Sequence, residues 1–154
     1  MIIDERFAIA APIEDVWAFF LDVPRAAACM PGVADVAPAD DQGRTYRGRI
    51  QVKVGPLKAG FAMDVELTDT QPPERLALVA RGTDRGTSSM VQATVTLRLT
   101  SSGDDATDVA YQMDLAIRGP LGRFGQTVIR DTARKMSDQF VACAERALAT
   151  PSNA

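Results

Sequence analysis

The chain has 154 residues, 46% hydrophobic and 24% charged, with a net charge of −3. That length suits one domain whose core needs no metal or disulfide, and the acidic balance excludes a general nucleic-acid binder. Histidine is absent, which removes Ser-His-Asp and Cys-His nucleophiles and every zinc site with imidazole ligands.

The first predicted element is a strand over residues 2–10, where Ile3, Phe7 and Ile9 alternate with polar neighbours. Pro12 then opens a helix, with Glu14 and Asp15 suited to its positive N-terminal end. Its apolar face is predicted to carry Ile13, Val16, Trp17, Phe20 and Leu21. Pro24 ends this helix near Asp22, and a second short helix is expected over residues 24–30, stopped by Pro31 and Gly32.

Between residues 33 and 117 the period falls to two. Ile50, Val52 and Val54 form one alternating set, and Phe61, Met63, Val65 and Leu67 a second. Val91 to Leu99 and Val109 to Ile117 supply two more. Such alternation means antiparallel strands with one wet and one buried face. Turn-forming clusters separate them, giving a meander of six strands beside the N-terminal one.

After Gly119 and Pro120 the helical period returns and holds to about Ala149. Leu121, Val128, Ile129, Thr132, Met136, Phe140, Cys143 and Ala147 share its apolar stripe. A helix of roughly 28 residues, about 42 Å long, could cross the whole sheet. Residues 1–149 are thus expected to form a single α+β domain, and residues 150–154 a polar tail. A curled sheet under a straight helix encloses either a plugged core or a cavity. Small residues near Met30, Met63, Met113 and Met136 suit an adaptable apolar pocket, or a core with Met as filler.

Cys29 and Cys143 sit in apolar surroundings and read as buried free thiols rather than a disulfide. Residues 1–10 lack the basic-then-apolar pattern of an export signal, and no apolar run approaches a membrane span. A cytoplasmic protein is the expectation.

Several segments carry a family resemblance. They are Pro12 with Val16 and Trp17; Asp22, Val23 and Pro24; and Cys29, Met30, Pro31, Gly32 and Val33. Further along come Tyr46, Arg47 and Gly48; Val52, Lys53, Val54, Gly55 and Pro56; Gly119 through Gly125; and Met136 with Gln139 and Phe140. In that order the chain resembles the CoxG family of carbon monoxide dehydrogenase, within the helix-grip superfamily of START and birch-pollen-allergen-like (SRPBCC) domains. The resemblance implies a seven-stranded curved antiparallel sheet around a long C-terminal helix, with two short helices between strands one and two. It implies a non-catalytic accessory role beside an aerobic CO dehydrogenase-type molybdenum hydroxylase. It also implies a hydrophobic ligand, a quinone or lipid, in the cavity. Some family members have a membrane-reaching C-terminal extension; this sequence stops at Ala154, so membrane contact is expected to be peripheral, at the inner face of the membrane, or through a partner.

Tyr46, Phe61, Met63, Tyr111, Met113, Val128, Thr132 and Met136 are the expected ligand-binding residues. The two tyrosines would supply the polar contacts. Met30, Pro31 and Gly32 form either a flexible mouth or a helix stop leading into a strand. Arg123, Arg130 and Arg134, predicted on one helix face, could meet an acidic partner or anionic lipid, or simply face water. Asp64 and Glu66 point outward, where nothing would raise their pKa values for acid–base work. No catalytic residue, metal or cofactor is expected. A purely apolar cavity would favour a carrier, converging polar groups a cyclase- or hydratase-like enzyme, and a plugged core a scaffold.

Overall fold

The structure, a computed structural model, describes residues 1–149; the tail expected at 150–154 lies outside the described residues. Among them, β1 (Ile2–Ile9) leads into α1 (Ile13–Leu21) and α2 (Val23–Ala27). Next come β2 (Val33–Pro38), β3 (Thr45–Val54), β4 (Leu57–Gln71), β5 (Arg75–Asp84), β6 (Ser89–Gly103) and β7 (Ala106–Arg118). A 3-10 turn (Pro120–Arg123) and α3 (Gln126–Ala149) finish the chain. The strands form one antiparallel sheet in the order β1-β7-β6-β5-β4-β3-β2, so a meander closes with the N-terminal strand beside the last one. The predicted α+β architecture, with its seven strands and paired short helices, is the observed one.

The registers carry the inward residues across the sheet in rows. Met113 lies opposite Ile3 on β1 and Val95 on β6, and Val95 in turn opposite Leu78 on β5. Tyr111 lies opposite Glu5 and Leu97. Bulges between Leu67 and Asp69, and between Ala34 and Ala37, interrupt the ladders; an extra residue on one strand bends it and increases its twist. On the outward face, the Arg47–Asp64 pair at 3.2 Å is more than 70% exposed at both side chains. A pair so hydrated contributes little.

Three local expectations need correction. In α1 the inward ridge is Val16, Trp17, Phe19 and Phe20, with Phe19 fully buried and Leu21 41% exposed. The chain turns into α2 directly after Leu21, which leaves that side chain outside. The long helix starts at Gln126, not near Pro120. Gly119 has φ +94°, and a Cβ there would strike the Ser88 carbonyl, so the chain passes tightly beneath the β5–β6 turn before a 3-10 turn and extended Phe124. The 24-residue α3 is about 36 Å long.

The third correction concerns the cysteines. Cys29 and Cys143 form a disulfide, their Cα atoms 5.4 Å apart. α2 carries Cys29 to the C-terminal half of α3, a proximity that a separation of 114 residues conceals in sequence.

The core falls into two clusters. One gathers α1, the C-terminal half of α3 and the strand ends around Ile9, Leu67, Leu76 and Val109. Within it, Phe19, Phe20 and Phe140 meet at centroid distances of 5.8–6.1 Å. The other gathers Val54, Ala59, Phe61, Leu121 and Ile129 at the opposite end. Ser89, 1% exposed, stitches the second end: its Oγ accepts the Leu121 N–H at 3.2 Å and lies 2.9 Å from Thr87 Oγ1. Thr87 donates to Asp84 at 2.7 Å, a bond that holds the Asp84 carboxyl below its usual pKa. Ser89→Ala is expected to cost about 1–3 kcal/mol, because the Leu121 N–H loses its acceptor in a buried place. Chemical denaturation of the variant measures this.

Candidate functional site

α3 rests mainly on β1 and β3 and spans the strands between them. Val65, Leu78, Val95, Leu97 and Met113 point inward yet are only half-buried, since the helix above does not reach them. The space left is an open cavity of about 400 Å³. That lies within the range of small-molecule sites, roughly 300–1,000 Å³.

Four sides enclose it. The sheet supplies those five residues with Phe7, Leu67, Leu76 and Tyr111; α1 supplies Phe20. α2 and its flank supply Val23, Ala26, Ala27, Met30 and Val33, and α3 supplies Ala133, Met136, Ser137 and Phe140. Among these lining side chains only Tyr111 and Ser137 are polar, and their hydroxyls bond to each other at 2.8 Å. Beside them, at the β1 edge, Glu5 pairs with Arg134 at 3.7 Å. Hollows of about 340 and 380 Å³ on the outward face differ in being lined by charged groups such as Asp64, Arg81, Arg98 and Arg118.

Burial pushes the Tyr111 phenol above its ordinary pKa of 10.0. The Ser137 hydrogen bond pulls the other way, and the negative charges of Glu5 and Asp138 add to the rise. The phenol is therefore neutral at physiological pH and serves as a hydrogen-bonding group. Because the folded pKa exceeds the unfolded one, this contribution to stability is complete below about pH 10 and is lost as pH climbs through the folded value. Ser137→Ala is expected to raise the Tyr111 pKa further, read from phenolate absorbance in a pH titration of both proteins.

Tyr111, Met113 and Met136 border the cavity, as does Met30. The other expected residues stand elsewhere. Tyr46 is buried in the first core cluster with its hydroxyl donating to the Gly43 carbonyl at 3.2 Å. Phe61 belongs to the second cluster, with Met63 packed against it. Val128, 36% exposed, sits roughly 120° around α3 from the buried stripe. The hydroxyl of Thr132 donates to the Val128 carbonyl at 3.0 Å. Pro31 and Gly32 are not among the lining residues. Gly32, at φ +83°, receives the Gln51 N–H at 2.9 Å and leaves no room for a Cβ beside the Gln51 carbonyl, so it is pinned at the start of β2.

The three arginines do not share a helix face, because Arg123 belongs to the 3-10 turn. Arg130 donates to the Ile2 carbonyl at 3.0 Å and Arg134 pairs with Glu5, so both hold α3 against β1 while remaining exposed. Among the described residues, no cluster of three or more His, Cys, Asp or Glu side chains could hold a metal. No helix there is long and apolar enough to cross a membrane.

An antiparallel sheet curled around a long C-terminal helix, with a cavity between them, defines the helix-grip class of START-like proteins. Solved structures agree. A conserved protein from Geobacillus kaustophilus matches with TM-score 0.87 at 19% identity, covering 97% of this chain and 95% of that one. A START superfamily protein from Mycobacterium smegmatis matches with TM-score 0.68 at 10% identity, covering 96% of each. The Zhui aromatase/cyclase from Streptomyces sp. R1128 matches with TM-score 0.60 at 16% identity, covering 96% of this chain and 90% of that one. No curated protein matches the sequence. Residues 6–149 match the CoxG family of carbon monoxide dehydrogenase, and the chain belongs to it.

Proposed function

We propose that this protein is a non-catalytic carrier of a neutral hydrophobic molecule, a quinone or an uncharged lipid, acting beside a molybdenum hydroxylase of the CO dehydrogenase type. The cavity carries this reading: its lining is apolar except for one hydroxyl pair. Apolar walls favour a ligand by removing its surface from water, at ~25 cal/mol per Å². The Tyr111 and Ser137 hydroxyls can meet one carbonyl or hydroxyl oxygen of the ligand. No cationic side chain lines the space to neutralise a carboxylate or phosphate, whose desolvation would go uncompensated. A cavity of 400 Å³ suits a ring or head group, with a longer tail leaving through the opening.

The lining also argues against the enzyme alternative. It offers no carboxylate, amine or thiol, and its phenol is held above pKa 10.0, a poor general base at neutral pH. The open space argues against a plugged scaffold. Family membership supports the molybdenum hydroxylase as partner, with the protein in the cytoplasm at the inner face of the membrane. The exposed Arg123, Arg130 and Arg134 would serve the partner or lipid surface.

The test is a calorimetric titration with a short-chain benzoquinone, a long-chain alcohol and a fatty acid of equal chain length. The neutral ligands are expected to bind at least about tenfold tighter than the ionised acid. Equal or tighter binding of the fatty acid would overturn the selectivity. Heat from none of the three would overturn the carrier reading.

A further inference from the structure

The Cys29–Cys143 bridge joins two walls of the cavity that the sheet does not supply. Cys29 immediately precedes the lining residue Met30, and Cys143 lies three residues after the lining residue Phe140. α2 is a lightly seated wall: none of its five residues is buried, and Val23 and Ala26 enter the core only in part. Its Arg25 holds on through an exposed hydrogen bond to the Ala147 carbonyl at 3.3 Å and a stacking contact 5.3 Å from the Phe19 ring. A covalent tie thus secures the segment with least burial to the helix that roofs the site. Cys29 is 9% exposed and Cys143 half-buried, so a reductant can approach from the α3 side.

We propose that this disulfide is a redox-sensitive clamp on the cavity, closing α2 against α3 when oxidised and letting α2 swing away when reduced. The proposal rests on the carrier reading, and it adds a trigger for unloading. The reductant is a dithiol. Its thiolate attacks the Cys143 sulfur, the Cys29 thiolate leaves and takes a proton, and the second thiol resolves the mixed disulfide. Two electrons and two protons pass to the protein, yielding two thiols and the dithiol's own disulfide. The cavity wall then depends on the half-buried contacts of α2, which are of the kind that open locally at low cost.

The experiment compares oxidised protein, protein reduced with dithiothreitol, and the Cys29→Ser/Cys143→Ser variant. Amide hydrogen exchange is followed at Ala28, Cys29 and Met30, whose N–H groups bond within the α2 segment, and throughout the sheet. Dissociation of the neutral fluorophore N-phenyl-naphthylamine is followed in parallel. Reduction is expected to speed exchange at the three amides by about tenfold or more, leaving the sheet unchanged. It should speed dye release by a similar factor, and the variant should behave as reduced protein in either buffer. Unchanged α2 exchange, equal acceleration across the whole sheet, or unchanged dye release from a loosened α2 would each overturn the clamp. Dye binding to neither form, with α2 exchange still accelerated, would overturn the carrier reading and with it the gating role, while leaving the redox-loosened wall measured.

Discussion

Ala133→Trp is expected to leave the protein folded while weakening a neutral quinone or long-chain alcohol by about 100-fold, or ~2.7 kcal/mol. Ala133 is half-buried on α3 and faces the cavity. An indole there would take a large share of the 400 Å³ and stand between the hydroxyl pair and the opposite wall. Filling an existing space adds apolar contact without displacing a packed neighbour, so the strain of overpacking a dense core is avoided. Val128→Trp makes the control. Val128 lies on the same helix but outside the lining, 36% exposed, and the same indole there should leave affinity unchanged. Titration of both variants, with thermal melts to establish folding, checks the pair. Equal losses from both would mean that the ligand binds somewhere other than this cavity.

The second large effect is on stability. The Cys29→Ser/Cys143→Ser variant is expected to lose about 4–5 kcal/mol on a chain-entropy estimate for a loop of this length. At roughly 2–4 °C per kcal/mol for a domain of this size, the melting temperature should fall by about 10–15 °C. The bridge spans 114 residues, so opening it frees nearly the whole chain in the unfolded state. A typical domain has about 5–15 kcal/mol in hand, and the two core clusters and the complete sheet do not depend on the bridge. The variant should therefore fold at ambient temperature, as the clamp experiment requires. Paired urea melts of oxidised protein and variant give the number directly.

The fold was largely legible because strand periodicity survives whatever packs above it. Phe61, Met63, Val65 and Leu67 alternate, and inward is where the structure puts them. What periodicity does not carry is position along the strand. Phe61 and Met63 point to the same face as Val65 and Leu67, yet they lie under the filled end, where the 3-10 turn and the start of α3 close down. Val65 and Leu67 lie under the open one. Tyr111 and Met113 did carry a signal to their neighbours. The short turn between β6 and β7 sets a register that puts Leu97 and Val95 opposite them, and both line the cavity.

Other features had no sequence signal of that kind. Val128 and Thr132 follow the 3.6-residue period loosely enough to pass for stripe members, but the helix turns its Ile129, Ala133, Met136 and Phe140 side inward. Ser137 adjoins that side and looks like an ordinary surface serine until Tyr111 is found 2.8 Å away. The disulfide depends on where α2 ends, and α2 is the element with least burial to fix its place in a sequence reading. Gly32 suggested a hinge through its residue type alone. Its positive φ is used instead to press the chain against β3.

The most direct measurement is mass spectrometry of an organic extract of the protein purified from its native host, beside a matched control protein and Ala133→Trp. A carrier should yield one neutral quinone or uncharged lipid near one equivalent from the wild type, and far less from Ala133→Trp and the control. A charged lipid in that position, or an extract indistinguishable from the control after incubation with native membranes, would contradict a cavity built for neutral cargo.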